Sequence, residues 1–261
     1  MINLYSHNVW NCNPTAWRNK LIREMIKEAD ADFCTFQECA SWTVRSGDAP
    51  LQKLMADSYI ELMEEIQGKN FTPVYYKKDK FSVIDSGYHA YTGLNDADSK
   101  SVCWGVFKNK KTGEKVAIAS THFWWMYESE KDNLQRLQNV DELKMVCDEI
   151  IKKHNVPVII GGDFNNGFNA DQGDMPYKKM LQVGFSDIRL TAKETTDMLT
   201  HHTEPVLKED GTWENKDMPI RTIDYIFTYG EGIKAEKFQV LTSEKALVSS
   251  DHCPLLGYFE I

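Results

Sequence analysis

The order of elements at the start of the chain constrains the fold more than any other feature of the sequence. Residues 2–7 alternate apolar and polar side chains, as a β-strand does. Asn13-Pro14 supplies a helix N-cap and a first-turn proline, and apolar residues at four-residue spacing predict a helix over 14–29. A short apolar run follows at 33–36. This strand–helix–strand opening indicates that the first two strands pair in parallel.

The rest of the chain also mixes helices and strands. Apolar residues predict a second helix over about 49–66, and Ser129 with Asp132 forms a capping-box-like start to the longest helix. Residues 186–220 are polar and contain no predicted element; a loop that long is usually functional or mobile. No linker divides these elements, so a single domain over 1–261 is expected. The later predicted strands are 71–76, 81–84, 101–107 and 115–121 (these two as a hairpin), 157–160, 222–228, 235–241 and 255–259.

Composition and charge limit the partners of the protein. The chain is 42% hydrophobic and 26% charged, as globular proteins are. Its formal net charge of −9 argues against nucleic acid, because contacts to a phosphate backbone usually need a basic surface. Metal ions can offset that charge locally, so nucleic acid remains an alternative. We expect a monomer. We also expect no transmembrane segment, since no apolar run reaches the roughly 18 residues of a membrane span.

The cysteines and the N-terminus bear on the compartment. The six cysteines show no CxxC spacing, so reduced and mostly buried thiols are expected rather than a zinc site or a disulfide framework. Residues 1–10 resemble a strand rather than a signal peptide, which favours a cytoplasmic protein. A secreted protein from which a leader had been removed would have the same sequence.

Polar residues capable of chemistry fall at the ends of the predicted strands, where α/β sheets usually place their sites. Singly, each has an ordinary explanation: Glu38 could be a solvated loop carboxylate and His122 a hydrogen-bonded histidine. Together their arrangement favours a shared site. Asn8, Glu38, His122, Asp163 and Asn165 lie just beyond strands, Asp224 lies within one, and Asp251-His252 directly precedes the last.

Some of these residues suit a metal ion. Mg²⁺ prefers oxygen ligands and usually takes one or two carboxylates while keeping several waters. Glu38, helped by Asn8 and Asp251, would provide such a site, with Mn²⁺ as a substitute ion. A bound ion of this kind neutralises a phosphoryl oxygen and the charge that develops on a leaving group.

The other residues suit an in-line displacement, which needs a positioned water and donors around the phosphoryl oxygens. Asp163 could orient or deprotonate the water, and Asn165 could hold a phosphate oxygen. Asp224 and His252 are the natural carboxylate–imidazole pair, in which the ring keeps one tautomer and can carry positive charge.

Six motifs around these residues resemble the endonuclease/exonuclease/phosphatase superfamily of DNase I-like, metal-dependent phosphoesterases. They occur in the family's order and span residues 8–254, nearly the whole chain. A single DxN or SDH motif is weak, whereas six in order are specific. The motifs are Asn8 after the first strand, Gln37-Glu38 after the second, Ser-Thr-His122, Gly-Gly-Asp163-Phe-Asn165, Arg-Thr-Ile-Asp224-Tyr-Ile and Ser-Ser-Asp251-His252-Cys-Pro.

The resemblance implies a fold and a set of roles. The fold is a four-layer α/β/β/α sandwich of two mixed β-sheets flanked by helices, with the site at one end. The implied roles are Glu38 as the main metal ligand, Asn8 and Asp251 as helpers in metal binding, Asp163 as the water activator, Asn165 as a phosphate contact, His122 as a contact to the scissile phosphate or a proton donor to the leaving group, and His252 with Asp224 as the stabiliser of the pentacovalent transition state.

The resemblance also indicates which branches of the superfamily are more similar to this chain. Apurinic endonucleases of this superfamily carry a tyrosine in their site and a basic DNA-binding face, and neither is evident here. His122 is more similar to the deoxyribonuclease, sphingomyelinase and phosphatase branches. The leading hypothesis is a metal-dependent hydrolase of a small or modest phosphate mono- or diester, such as a sugar phosphate, inositol phosphate, nucleotide or lipid headgroup. The alternatives are a nuclease and a catalytically inactive relative that binds a partner; the intact motifs argue against the last.

Residues around the centre have two explanations each. The aromatic run 123–127 either packs against the sheet edge or forms a stacking wall for a base or sugar. His201-His202 either border the substrate or are solvated, and a zinc site lacks a suitably spaced third ligand. Lys100 lies where relatives often have a basic residue near the site, and Arg45 is a candidate phosphate clamp. The substrate-binding candidates are Trp42, Arg45, Trp124, Trp125, Arg136, His201 and His202.

Overall fold

A computed structural model describes most of the chain: residues 1–10, 16–39, 50–63, 70–165, 174–196, 199–215 and 219–261. The strands are β1 (Ile2–Asn8), β2 (Phe33–Gln37), β3 (Tyr59–Glu61), β4 (Val74–Lys77), β5 (Phe81–Ala90), β6 (Ser101–Asn109), β7 (Lys115–His122), β8 (Val158–Asp163), β9 (Ser186–Asp187), β10 (Glu194–Thr195), β11 (Val206–Leu207), β12 (Trp213–Glu214), β13 (Asp224–Tyr229), β14 (Lys234–Val240) and β15 (Leu255–Glu260). The helices are α1 (Ala16–Ala29), α2 (Leu51–Met55), α3 (Glu130–His154), α4 (Asp174–Gln182), α5 (Ile188–Thr191) and α6 (Glu244–Ser249).

Two mixed β-sheets form the centre of the molecule. The first has the strand order β10-β14-β15-β1-β2-β4-β3 and the second β5-β6-β7-β8-β13-β9, while β11 and β12 pair as a separate ribbon. The first two strands pair in parallel, as the strand–helix–strand opening predicts. Strands β7 and β8 are parallel in the second sheet, and the predicted β6–β7 hairpin is confirmed. The carboxyl ends of β1 and β2 therefore share one edge, and those of β7 and β8 share another.

Apolar side chains hold these sheets in four layers, because successive residues of a strand face opposite sides of the sheet. In β8, Ile159 packs in the core between the two sheets, whereas Val158 and Ile160 pack against Leu143 of α3. On the first sheet, Tyr5 contributes to a core with residues of α1. The result is the α/β/β/α sandwich that the motif resemblance implies.

The capping box predicted for the longest helix is confirmed. Ser129 is the N-cap of α3, its side chain accepts from the Asp132 backbone N–H, and the Asp132 side chain accepts from the Ser129 backbone N–H. The predicted helix over 49–66 is wrong. Within the described residues 50–63, only 51–55 is helical, and β3 follows because its backbone pairs with β4 at the sheet edge. Ile60, which an apolar helical face would bury, is exposed.

Short elements in the second half escaped prediction. Residues 186–220 contain β9 to β12 and α5, each too short to show a hydrophobic period, and α4 and α6 also lack a clear sequence signal. The described cysteines are buried free thiols, and Cys12 lies outside the described residues. Among the described helices, none combines the length and apolar character needed to cross a membrane.

The two sheets come close together where β1, β2, β7 and β8 end. A side chain at Gly161 has no room, because its Cβ would lie 2.4 Å from Thr35 Oγ1 and 2.7 Å from Ser6 Oγ. Small polar groups replace the apolar core at this level, where Gln37 Nε2 donates to Ser120 Oγ at 3.1 Å. Glycine and short polar side chains thus bring the ends of the two sheets within hydrogen-bonding reach of each other.

A Gly161→Ala substitution is expected to lower the free energy of unfolding by about 1–3 kcal/mol, because the added methyl group overpacks the space between the sheets. It should also lower kcat/KM for any phosphate ester the protein hydrolyses, because Asp163 lies two residues further along β8. Urea unfolding and steady-state kinetics measure the two effects.

The matched control is Gly113→Ala in the β6–β7 turn, at the opposite end of the hairpin from His122. Gly113 has φ +79°, and the nearest atom to an added Cβ is 3.9 Å away. This change should cost about 1–2 kcal/mol of backbone strain without a change in kcat/KM. A Gly161→Ala protein as stable and as active as the parent would show that the sheets can separate at no cost.

Candidate active site

Residues from both sheets line one pocket of about 360 Å³ at the end where the sheets approach. The structure brings most of the centre predicted from sequence to this pocket, although those residues lie far apart in the chain. The predicted residues that line it are Glu38, His122, Asp163, Asn165, Asp251 and His252. Asn8 and Asp224 lie directly behind them and hydrogen-bond to Asp163 and His252, respectively.

Asp163 links the two sheets. Its Oδ2 accepts from Asn8 Nδ2 at 2.9 Å, and its Oδ1 accepts from the Asn165 backbone N–H at 2.9 Å. Burial and the Asp224 carboxylate raise the pKa of Asp163 to about 7, although the charge on His252 and the two hydrogen bonds favour the ionised form. A carboxyl group with a pKa near neutrality can both accept and release a proton at working pH.

Asn8 hydrogen-bonds to two carboxylates of the site. Its amide nitrogen donates to Glu38 Oε1 at 3.2 Å as well as to Asp163, and its amide oxygen accepts from the Trp10 backbone N–H at 3.0 Å. In this orientation Asn8 ties the two carboxylates together and does not turn its oxygen toward the pocket. Its assignment as a metal ligand stays a prediction.

His252 and Asp224 form a buried ion pair. His252 Nδ1 lies 2.9 Å from Asp224 Oδ2 and 3.0 Å from Oδ1. Burial alone lowers the pKa of His252, but the carboxylates of Asp224 and Asp251 outweigh it and raise the pKa to about 10. The ring is therefore an imidazolium at neutral pH. Its Nε2–H, 3.8 Å from both Asp163 and Asp251, is a donor on the pocket side.

Two residues that the sequence did not single out hold this pair in place. Thr200 Oγ1 donates to Asp224 Oδ2 at 2.7 Å and accepts from the backbone N–H groups of Ile223 and Asp224. His7 Nε2 donates to the His252 carbonyl oxygen at 3.1 Å. Burial lowers the pKa of His7 to about 3, so its ring is neutral. In the sequence, Thr200 directly precedes His201 and His7 directly precedes Asn8. This proximity to predicted site residues is the signal from which the two could have been found.

Lys100 lies against His122 inside the pocket. Its Nζ is 3.1 Å from His122 Nε2, and both side chains are buried. Burial lowers the pKa of Lys100, and the carboxylates of Glu38 and Asp163 oppose that shift. Burial, Lys100 and His252 together hold the pKa of His122 well below its usual range. His122 is therefore neutral, and its ring accepts a hydrogen bond from the lysine ammonium group.

Among the described residues, three groups of side chains bring their ligand atoms within 4.8 Å of one another. They are Glu38, His122 and Asp163; His201, Asp251 and His252; and Asp163, Asp224 and His252. Burial raises the pKa of Asp251, and the nearby Glu38 carboxylate raises it further. Carboxylates this close repel each other, and a hard cation with oxygen ligands relieves that repulsion. The carboxylate oxygens of Glu38, Asp163 and Asp251 therefore suit a hard divalent cation.

The substrate-binding candidates predicted from the sequence divide into two groups. Trp125 and His201 line the pocket. Trp124, Arg136 and His202 do not line it and are buried elsewhere. The Trp124 indole donates to Asp132 Oδ1 at 2.7 Å, so for this ring the packing explanation describes the structure.

The other two buried residues support the chain around the pocket. Arg136 donates to the Met126 carbonyl oxygen and to Asn133 Oδ1. The His202 backbone N–H donates to the Asp251 carbonyl oxygen at 2.9 Å. Direct substrate contact by Trp124, Arg136 and His202 is not supported by these positions. Trp42 and Arg45 lie outside the described residues.

Sequence comparison gives the family. The model of the Endonuclease/Exonuclease/phosphatase family matches residues 5–252, and the chain belongs to this family. Among curated proteins, no sequence matches the chain significantly.

Solved structures share the fold at low sequence identity. A mannosyl-6-phosphatase of Bacteroides thetaiotaomicron is 19% identical, with a TM-score of 0.77 and 100% of each chain covered. The human Nocturnin catalytic domain with a bound sulfate anion is 17% identical, with a TM-score of 0.71, and the match covers 99% of this chain and 94% of that one. D. rerio TDP2 in complex with a single-strand DNA product is 16% identical, with a TM-score of 0.70, covering 100% of this chain and 99% of that one.

A Thr200→Val substitution tests the support of the ion pair. Valine has nearly the same shape but removes one donor and one acceptor from a buried position, which leaves the Asp224 carboxylate and backbone N–H groups unsatisfied. We expect a loss of about 1–3 kcal/mol in the free energy of unfolding. We also expect a lower kcat, since Asp224 is less well oriented toward His252.

The conservative control is Thr200→Ser, which keeps the hydroxyl group and should restore most of the kcat. If the serine and valine variants lose activity equally, the methyl group and not the hydroxyl would be what matters at this position. Denaturant unfolding measures the loss of protein stability, and initial rates on the same preparations measure the effect of a less well oriented Asp224 on kcat.

Proposed function

We propose that the chain is a divalent-metal-dependent hydrolase of phosphate esters, with Mg²⁺ as its ion and Mn²⁺ as a substitute. The observation that carries this proposal is the convergence of Asp163, Asn165 and the His252–Asp224 pair on one pocket that Glu38 and Asp251 also line. The first three provide what an in-line displacement needs, and the last two are carboxylates that a hard cation would neutralise. We also propose that residues 1–261 form one domain and act as a monomer.

The ion would be held by Glu38 and Asp251, with Asn8 close by, and would polarise a phosphoryl oxygen while stabilising charge on the leaving group. Asp163 would orient the attacking water and take its proton, for which a pKa near 7 is well placed. In-line attack requires the water oxygen to approach from one direction. The two hydrogen bonds to Asp163 fix the plane of its carboxylate, and that plane would set the position of the water.

The developing negative charge would be met by donors already in position. His252 presents a cationic Nε2–H that Asp224 holds in one tautomer. The Asn165 side chain donates to the Phe123 carbonyl oxygen at 3.1 Å, which fixes the amide beside Asp163. Neutral His122, hydrogen-bonded to Lys100, would contact the scissile phosphate. Donors that need no rearrangement are the main source of transition-state stabilisation in such sites.

A small or modest phosphorylated substrate is favoured over a polynucleotide. The pocket, at about 360 Å³, lies near the lower end of the range of small-molecule sites. The net charge of −9 opposes binding of a polyanion along the surface. The similarity to a mannosyl-6-phosphatase supports this preference, whereas the similarity to TDP2 in complex with single-strand DNA keeps the nuclease as the alternative.

EDTA is expected to abolish hydrolysis, and Mg²⁺ or Mn²⁺ to restore it. An Asp163→Asn variant should retain its fold and lose at least about 100-fold in kcat, the usual contribution of a positioned general base. The amide oxygen keeps an acceptor for the Asn165 N–H, whereas the amide nitrogen cannot accept from Asn8, so the change removes the charge and one of the two hydrogen bonds.

The matched control is Asp187→Asn, which alters an equally buried carboxylate outside the pocket. Asp187 accepts from the Tyr177 hydroxyl at 2.9 Å and from the Arg189 backbone N–H at 2.9 Å. Its loss should reduce stability but leave kcat per folded molecule unchanged. Full activity of Asp163→Asn, or activity that survives EDTA, would refute the proposal.

A substrate panel distinguishes the classes of ester. A phosphomonoester, a phosphodiester, an inositol phosphate, and single- and double-stranded DNA are compared in Mg²⁺ at two salt concentrations. We expect kcat/KM to be highest for a small ester and only weakly dependent on salt. Preferential cleavage of DNA that falls steeply as salt rises would establish the nuclease instead.

A further inference from the structure

Arg221 brings a positive charge to the pocket on the far side of His201 from the catalytic centre. It lies three residues before Asp224 and is half-buried at the pocket wall. The His201 ring separates it from His252, with the two imidazole centroids 4.7 Å apart. Arg221 is therefore placed to contact the part of a substrate that lies beyond its scissile phosphate.

The guanidinium group is held in place by neutral partners. Its Nε donates to His201 Nδ1 at 3.2 Å, and its Nη1 donates to the Tyr127 hydroxyl group. A ring nitrogen that accepts a hydrogen bond carries no proton, so His201 Nδ1 is the unprotonated nitrogen of this ring. A neutral imidazole that accepts at Nδ1 carries its proton at Nε2, and Nη2 therefore has no acceptor in the ring nitrogen 3.4 Å away.

No ion pair compensates the charge of Arg221 within the part of the chain that the structure describes. A guanidinium group has five N–H donors in a planar fork that matches the oxygens of a carboxylate or phosphate. Two of them are engaged by His201 and Tyr127, and the others are available to a ligand.

Tyr127 contacts the Arg221 guanidinium group through its ring as well as through its hydroxyl group. The Arg221 guanidinium carbon lies 5.6 Å from the centroid of the Tyr127 ring, and that of Arg136 lies 5.6 Å from it as well. Arg136 is fixed by the Met126 carbonyl oxygen and the Asn133 side chain, as described above. The ring and its hydroxyl group thus hold the arginine fork in one orientation, which lowers the entropy lost when a ligand binds.

We propose that Arg221 and Tyr127 form a second anion-binding subsite, and that the preferred substrates carry a carboxylate or a second phosphate on the alcohol portion of the ester. This inference rests on the proposed function, because it takes the scissile phosphate to lie at Asn165 and His252. It assigns to Arg221 the choice between esters and no part in the chemical step.

Sorbitol 6-phosphate and 6-phosphogluconate test the subsite, since they differ only in a terminal CH₂OH or carboxylate group. We expect kcat/KM of the parent protein to be about tenfold or more higher for 6-phosphogluconate, as a charge-assisted hydrogen bond would give. In Arg221→Gln the ratio of the two values should fall to about 1. Glucose 1,6-bisphosphate and glucose 6-phosphate provide the same comparison for a second phosphate.

Two further variants control for charge and folding. Lys152→Gln removes an exposed positive charge in the last turn of α3, at the opposite end of the sandwich, and should leave the ratio unchanged. Tyr127→Phe removes only the hydroxyl brace at an exposed position, so it should fold even if Arg221→Gln does not. It is expected to reduce the ratio by severalfold.

Calorimetric titration of both compounds into Asp163→Asn, with and without Arg221→Gln, measures binding independently of turnover. Tighter binding of 6-phosphogluconate that disappears with Arg221→Gln would support the subsite even if neither ester were hydrolysed. The proposed function is then decided separately, by the EDTA and Asp163→Asn experiments on the ester panel. Hydrolysis of both esters at a ratio near 1 in the parent protein would overturn the subsite and leave the proposed function standing. Equal affinities in the titration would also overturn the subsite.

Discussion

The contact between the two sheets at Gly161 is the constraint on which the rest of the structure depends. A glycine there, opposite Thr35 and Ser6, lets the strand ends approach until Asn8 of the first sheet hydrogen-bonds to Asp163 of the second at 2.9 Å. Each sheet alone carries only half of the pocket. Protein interiors are closely packed and compress little, so a small displacement of the strands at Gly161 is transmitted to the Asp163 carboxylate.

The charges assembled by that contact would be costly without compensation, because a buried ion loses its hydration. Asp224 is matched by His252, whose Nδ1 lies close to both carboxylate oxygens, and the Thr200 hydroxyl donates a further hydrogen bond to Oδ2. The other carboxylates are less well matched, and in Asp163 and Asp251 burial raises the pKa. A phosphate-ester hydrolase that takes up a divalent cation has a reason to keep such carboxylates, whereas a purely structural site has none.

The sequence identifies residues whose role follows from local position and misses those whose role follows from contacts across the chain. Asp163 and His122 end strands, and the Ser129–Asp132 capping box is a local signal, so all three were predicted. His7 acts on His252, 245 residues away, and Thr200 acts on Asp224 from an irregular segment. The predicted helix over 49–66 failed for the same reason, since pairing of β3 with β4 at the sheet edge overrides a run of apolar residues.

We propose that the two sheets together form one metal-assisted phosphate site. Crystals grown with Mn²⁺ and inorganic phosphate, with anomalous diffraction collected at the manganese edge, would locate both. We expect an anomalous peak at the carboxylates of Glu38 and Asp251, with phosphate against Asn165 and His252. Manganese and phosphate bound elsewhere, with this pocket holding only water at saturating concentrations of both, would contradict it.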